Sequence, residues 1–246
     1  MIMTVLSRPT SEMGYYHVIL RGNGKQIIFE ERSDNIHFLQ NLKQYSTENK
    51  IVINAFCLME NHVHLLVYDG ERNLSLFMKR LAGNYAIWFN RKYQRSGHLF
   101  EGRYVSVPVE SEDRLCTVFR YILNNPQKAH ICAAPDYPWS SYKSYRNPFS
   151  FVDTSVFEKL LGSFEEYAAY IAAKYEDEDP YDWVRTRDDA WAASVIRKTL
   201  GTEGGKIRSF DFETRNSAIR LLKEKGLSVR QIERLTGISK SVIQRV

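Results

Sequence analysis

The stretch Leu58–Gly70, LMENHVHLLVYDG, places two histidines, His62 and His64, on either side of one valine in an apolar run. Residues two apart on a strand point to the same face of a sheet. Read as a strand, the run puts both imidazoles on one face and Val63 on the other. Asn61, beside Glu60, suits a turn just before it. KIVINAFCLM, immediately upstream, is a second strand, so the two form a hairpin. Two imidazoles on one face can be two ligands of one metal ion, or a turn residue and a hydrogen-bonded core histidine. The pair alone does not choose between these.

The neighbouring elements follow from this hairpin. Upstream, YYHVILRG (Tyr15–Gly22) is rich in β-branched and aromatic residues and reads as a strand, and NIHFLQNLKQYS places Ile36, Leu39 and Leu42 at helical steps. Downstream, Leu74, Phe77, Met78, Leu81, Tyr85 and Trp88 mark a long helix. RYVSVPVE is a fourth strand, in which Pro108 suits an edge strand or a late strand position. SEDRLCTVFRYILNNP is a helix, with Ser111 as its N-cap and Pro126 as its stop. The order strand–helix–strand–strand–helix–strand–helix predicts an α+β domain over residues 1–150, a ferredoxin- or RRM-like split β-α-β sandwich.

Residues 151–205 read as a helical, acidic linker region. Its run KYEDEDPYDW holds five carboxylates and is expected to be a solvated connector. Residues 206–246 read as a separate all-α unit ending in a helix-turn-helix. FETRNSAIRLLKEKG is an amphipathic helix ended by Gly226, and Ser228 with Gln231 forms a capping box. Gly237 turns the chain, Ser239 caps the last helix and Val242 packs back. Lys240, Gln244 and Arg245 then fall on the exposed side of a helix placed to enter a major groove.

Composition narrows the class. Of the 246 residues, 43% are hydrophobic and 26% charged, as in a soluble globular chain. No apolar run has membrane-spanning length and the start lacks a signal-peptide layout, so a cytoplasmic protein without membrane partners is expected. Cys57, Cys116 and Cys132 are odd in number and scattered, which argues against a disulfide framework or thiolate zinc site. Net charge is +5 over residues 1–146, −6 over 147–205 and +6 over 206–246. Two basic segments attract polyanions, since neutralised phosphates release counterions.

On the helix 113–125, Tyr121 and Asn125 are four residues apart and so stack on one face. Such a pair can set a hydroxyl and an oxygen ligand side by side; equally, it can be a rim tyrosine and a capping asparagine. The helix 74–94 and the loop after it supply Lys79, Arg80, Arg91, Lys92, Arg95 and Arg103, interleaved with Tyr93, His98, Phe100 and Tyr104. Cations that track phosphates and rings that stack on unpaired bases suit single-stranded nucleic acid.

YHVILRGNGKQIIF, LMENHVHLLV, YAIWFNRKYQRSGHLFEGRY, FRYILNNPQKAH and YPWSSYKSY occur in this order over roughly residues 14–145. In this set the chain resembles the single-tyrosine HUH transposases, and most of all the REP-associated tyrosine transposases. The resemblance implies an HUH domain in which His62, His64 and Asn125 bind a divalent ion and Tyr121 attacks a single-stranded DNA phosphate. The implied partner is single-stranded DNA with hairpins, REP-like palindromes, and a second copy of the chain in a homodimer is a candidate partner. The helix-turn-helix lies outside the resemblance.

Imidazole and amide ligands with open positions suit Mg²⁺ or Mn²⁺, which would polarise the phosphate for a tyrosine whose ordinary pKa is about 10. Cleavage is expected to leave a 5′-phosphotyrosine and a 3′-hydroxyl, and rejoining then needs no ATP. Two alternatives stand beside this strand transferase. One is a catalytically inactive, domesticated DNA-binding regulator that works through the helix-turn-helix. The other is a small-phosphodiester hydrolase with Glu60 as base, weakened by the lack of a dedicated water.

Overall fold

The computed structural model describes residues 10–147, 150–173, 189–225, 227 and 229–246. Contacts divide the chain into two units, Met1–Tyr175 and Glu176–Val246.

In the first unit, β1 (Tyr15–Arg21), α1 (Arg32–Glu48), β2 (Val52–Met59), β3 (His62–Tyr68), α2 (Leu74–Lys92), β4 (Val105–Val109) and α3 (Glu112–Leu123) follow one another. The strands form one antiparallel sheet in the order β2-β3-β1-β4. β2 and β3 are the hairpin expected around Asn61. β1 lies between β3 and β4, and α1 and α2 make the crossovers this order requires. Pro108 falls on β4, an edge strand, where its missing N–H costs least.

The period of two divides the sheet into two faces. Val18, Leu20, Phe56, Leu58, Val63, Leu65 and Val67 bury against Phe38 and Leu42 of α1 and Phe77 and Leu81 of α2. Tyr85 of α2 is fully buried in this layer, its Oη donating to the Ile28 carbonyl at 2.5 Å. The other face receives α3, whose Leu115, Phe119 and Ile122 are buried. Ser111 caps α3 by accepting the Arg114 N–H at 3.2 Å.

Pro126 does not act as the expected helix stop. α3 ends at Leu123, and Asn125 opens a short second helix, α4 (Asn125–Lys128). Pro126 sits in the first turn of α4, where a missing N–H goes unnoticed.

The unit also extends past residue 150. α5 (Ser155–Leu161) and α6 (Phe164–Ala172) belong to it. Phe157 of α5 stacks on Phe119 with centroids 3.6 Å apart, and Tyr167 of α6 donates to the Tyr142 carbonyl at 3.1 Å. Both side chains are fully buried. Burial of these rings, which charge counting does not register, ties residues 155–172 to α3. The acidic run 174–183, Gly226 and Ser228 lie outside the described residues.

The second unit comprises α7 (Asp189–Leu200), a 3-10 turn Gly204–Ser209, α8 (Phe212–Glu224), α9 (Val229–Thr236) and α10 (Lys240–Arg245). Ala192, Ile196, Ile207, Ile219, Leu222, Ile232, Ile238 and Ile243 form its core. Gly237, at φ +69°, makes the turn from α9 to α10 in a conformation that side chains resist. Ser239 sits at the N-cap of α10, but its hydroxyl faces Ser241 at 3.2 Å. The Glu233 carboxylate accepts the Lys240 N–H instead, at 2.9 Å. Among the described residues no helix is long and apolar enough to cross a membrane.

Candidate active site

Strand alternation sends His62, His64 and Leu66 away from the α1–α2 layer, toward α3. On β1 the same parity carries Tyr15, His17, Ile19 and Arg21. Ile19 pairs with His64 and Arg21 with His62, while Cys57 and Met59 flank the histidines from β2. The His62 and His64 ring centroids are 4.9 Å apart with planes at 88°.

α3 brings Tyr121 onto these rings. Its centroid is 5.6 Å from that of His64 and 6.0 Å from that of His17, edge to face in both cases. Tyr121 is 7% exposed, and Lys128 Nζ lies 4.6 Å from its ring centroid. Asn125 is fixed one turn on, its Nδ2 donating to the Tyr121 carbonyl at 2.8 Å. That bond leaves Oδ1 for other partners, and Asn125 lies near enough to His62 and His64 to favour their charged forms, while His62 Nδ1 meets Asn61 Oδ1 at 2.7 Å. The structure thus places His62, His64, Tyr121 and Asn125 together.

His17 and Arg21 also belong to this cluster and escaped the sequence reading. His17 Nε2 lies 3.0 Å from His64 Nδ1. Strand parity could have put His17 and Arg21 on one face, but which strand lies beside β1 is not written locally.

Burial is the largest influence on all three histidines and disfavours their charged forms. It brings His62 down to about 4, helped by Arg21 and opposed by Asn125. Burial, then His62 and Arg21, hold His64 well below its ordinary value, again against Asn125. Burial, His64 and Arg114 do the same to His17. The rings are therefore neutral at pH 7, the form in which imidazole offers a lone pair.

Among the described residues no group of three histidine, cysteine or acidic side chains could hold a metal ion. The Asn125 amide is the candidate third donor that the end of α3 brings to the imidazoles. Two neutral imidazoles and one amide oxygen, with positions left open, fit a divalent ion such as Mn²⁺ or Mg²⁺.

The cations of α2 are placed elsewhere. α2 packs on the sheet face opposite the histidines. Arg80 pairs with Glu48 and lies 4.8 Å from the Tyr45 ring centroid. Lys92 Nζ bonds Asp34 at 2.5 Å and Glu31 at 3.0 Å. Lys79 and Arg91 are exposed on the same layer. The loop after α2 comes nearer the site, because Glu101 N–H donates to the Arg21 carbonyl and Asn23 N–H to the Leu99 carbonyl. Arg103 is exposed on that loop, and Arg95 hydrogen-bonds Gln26. In the second unit, Lys240, Gln244 and Arg245 are all exposed on α10, around the buried Ile243.

Residues 10–125 match the family model described as Transposase IS200 like. Among solved structures, a REP-associated tyrosine transposase bound to a REP hairpin is 14% identical, with a TM-score of 0.49 over 62% of this chain and 94% of its own. A candidate transposase from Deinococcus radiodurans R1 is 24% identical, with a TM-score of 0.34 over 48% of this chain and 95% of its own. No curated protein matches the sequence significantly.

Proposed function

We propose that the chain, whose residues 10–125 match the family model described as Transposase IS200 like, is a single-stranded DNA transposase of the REP-associated type. It cleaves and rejoins hairpin-flanked DNA with Tyr121 as nucleophile. The observation that supports this reading is the meeting of Tyr121 and Asn125 of α3–α4 with His62 and His64 of β3 on one sheet face.

In this reading the Tyr121 hydroxyl attacks the scissile phosphorus. A tyrosyl O–P bond forms, the bond from phosphorus to the 3′-oxygen breaks, and the departing 3′-oxygen gains the proton that the phenol gives up. The downstream strand stays on the protein as a 5′-phosphotyrosine. Because one phosphoester replaces another, a second 3′-hydroxyl can reverse the step on a new strand without ATP.

His62, His64 and Asn125 would hold a Mg²⁺ or Mn²⁺ ion, which when bound supplies charge stabilisation at the phosphate. Arg21 adds positive charge at the same edge of the sheet. Asn125 also fixes the last turn of α3 through the Tyr121 carbonyl, so nucleophile and donor move as one piece. The second unit serves as a helix-turn-helix that grips double-stranded stems with Lys240, Gln244 and Arg245.

The test is denaturing electrophoresis after incubation with Mn²⁺ and hairpin oligonucleotides labelled at one end. A 3′-labelled strand should travel with the protein, and a 5′-labelled strand should appear as a shorter free product. The reverse pattern would refute the polarity. No adduct with any hairpin would favour a DNA-binding regulator.

A further inference from the structure

His17 stands in the middle of β1 and is fully buried, where a polar ring is costly unless hydrogen-bonded, and its Nε2 is engaged by His64. In register it faces Leu66, so its contact with His64 is a diagonal one across the β1–β3 pair. The two rings tilt by 50° with centroids 5.1 Å apart, and Nε2 of His17 meets Nδ1 of His64 at 3.0 Å. This contact occupies one nitrogen of His64. The other, Nε2, is left for a further partner, and Asn125 lies near the same ring.

A neutral imidazole has one N–H and one lone pair. While Nε2 of His64 carries the ring proton, Nδ1 must accept from His17. If Nε2 instead gives its lone pair to an ion, the proton moves to Nδ1, which must then donate to His17. A backbone carbonyl in the place of His17 could serve only the second state. An imidazole can serve both, because its own proton can shift from Nε2 to Nδ1, at the cost of placing that N–H on a buried atom for which no hydrogen bond is formed among the described residues.

We infer that His17 is a positioning residue, which holds the His64 ring and presents Nε2 to a divalent ion in whichever tautomer is needed. This rests on the proposed metal-assisted reading of the site.

The experiment uses the full chain and Mn²⁺ alone, followed by calorimetry, together with two-bond ¹H–¹⁵N spectra of the Mg²⁺-loaded protein. His17→Phe removes both nitrogens and keeps a ring; affinity for Mn²⁺ should fall about 10–100-fold, as for other outer partners of metal-bound histidines. His17→Gln, with both a donor and an acceptor, should recover part of that loss. In the Mg²⁺-loaded wild type, His64 should carry its proton on Nδ1. Wild-type protein that binds no Mn²⁺ would overturn the site reading itself. Wild-type binding that persists unchanged in folded His17→Phe, or a Gln variant no better than Phe, would overturn the positioning role alone. If neither variant folds, the spectrum decides, and a His64 with bare Nδ1 in the Mg²⁺-loaded state would reject it.

Discussion

Tyr121 presents its ring edge-on to His64, with centroids 5.6 Å apart and planes at 86°. The contact joins α3 to β3 and sets the phenol beside the imidazoles. Tyr121→Phe keeps that ring contact and removes one oxygen. The covalent protein–DNA adduct should disappear, while stability changes by only about 0.5–1.5 kcal/mol, the usual worth of one hydrogen bond. Gel analysis and thermal melting read the two effects. An adduct that survives, or that maps to Tyr93 or Tyr104, would name a different nucleophile.

Asn125 holds the Tyr121 carbonyl with its nitrogen and lies near both imidazoles. His62→Ala, His64→Ala and Asn125→Ala should each abolish or strongly reduce cleavage of single-stranded hairpins and leave hairpin binding largely intact. Paired nuclease and anisotropy assays separate these outcomes. Full cleavage by any of the three in the presence of Mn²⁺ would remove that residue from the proposed set.

What the sequence makes legible follows from distance along the chain. The shared face of His62 and His64 is a local consequence of strand geometry, and Tyr121 with Asn125 is a local consequence of the helical turn. His17 joins them only because β1 lies beside β3, and strand order is set by the whole domain. The helical step puts Arg80 and Arg91 on one side of α2, yet it does not say which sheet face α2 covers. Packing places that helix opposite the histidines, with Arg80 bound to Glu48 and Lys92 to Asp34. Pro126 misleads for a related reason: a proline that ends one helix is equally at home opening the next.

Lys92 therefore belongs to folding before DNA. Burial would raise the Asp34 carboxyl, but hydrogen bonds from Lys92, the Glu31 N–H, Tyr93 and the Glu30 N–H outweigh it, so the group is held below its ordinary 3.8. A carboxyl depressed in the folded state contributes stability above its unfolded pKa and loses it as pH falls through the folded one. Lys92→Ala leaves the buried carboxylate short of a donor and should cost about 1–3 kcal/mol at pH 7. Chemical denaturation should show that deficit shrinking below about pH 4 as Asp34 protonates. A variant as stable as wild type at pH 7, but weakened in DNA binding, would return Lys92 to the DNA-contacting set.

The second unit calls for a cut at its own boundary. Ala192 and Ile196 of α7 pack with Ile207, Ile219 and Ile232, so removing only residues 206–246 would strip α7 of its partners. Truncation after Tyr175 respects the division of contacts. Within the unit, α10 spans six residues, roughly 9 Å of helix, and its start is fixed by the Glu233 carboxylate on the Lys240 N–H. Ile243 faces the core, which leaves Lys240, Gln244 and Arg245 outward. If α10 lies against a DNA stem, each cation that neutralises a phosphate adds about 0.9 to the slope of log affinity against log salt. Lys240→Ala with Arg245→Ala should then lower that slope by about 2 on a hairpin stem, uniformly across sequences. Gln244→Ala should leave the slope alone and narrow the difference between preferred and unrelated stems, since an amide reads base edges rather than phosphates. Fluorescence anisotropy over a salt series measures both quantities. A truncated chain with the full-length slope would show that the second unit does not bind DNA, and a slope lost on truncation but kept in the double alanine variant would move the contact surface off α10.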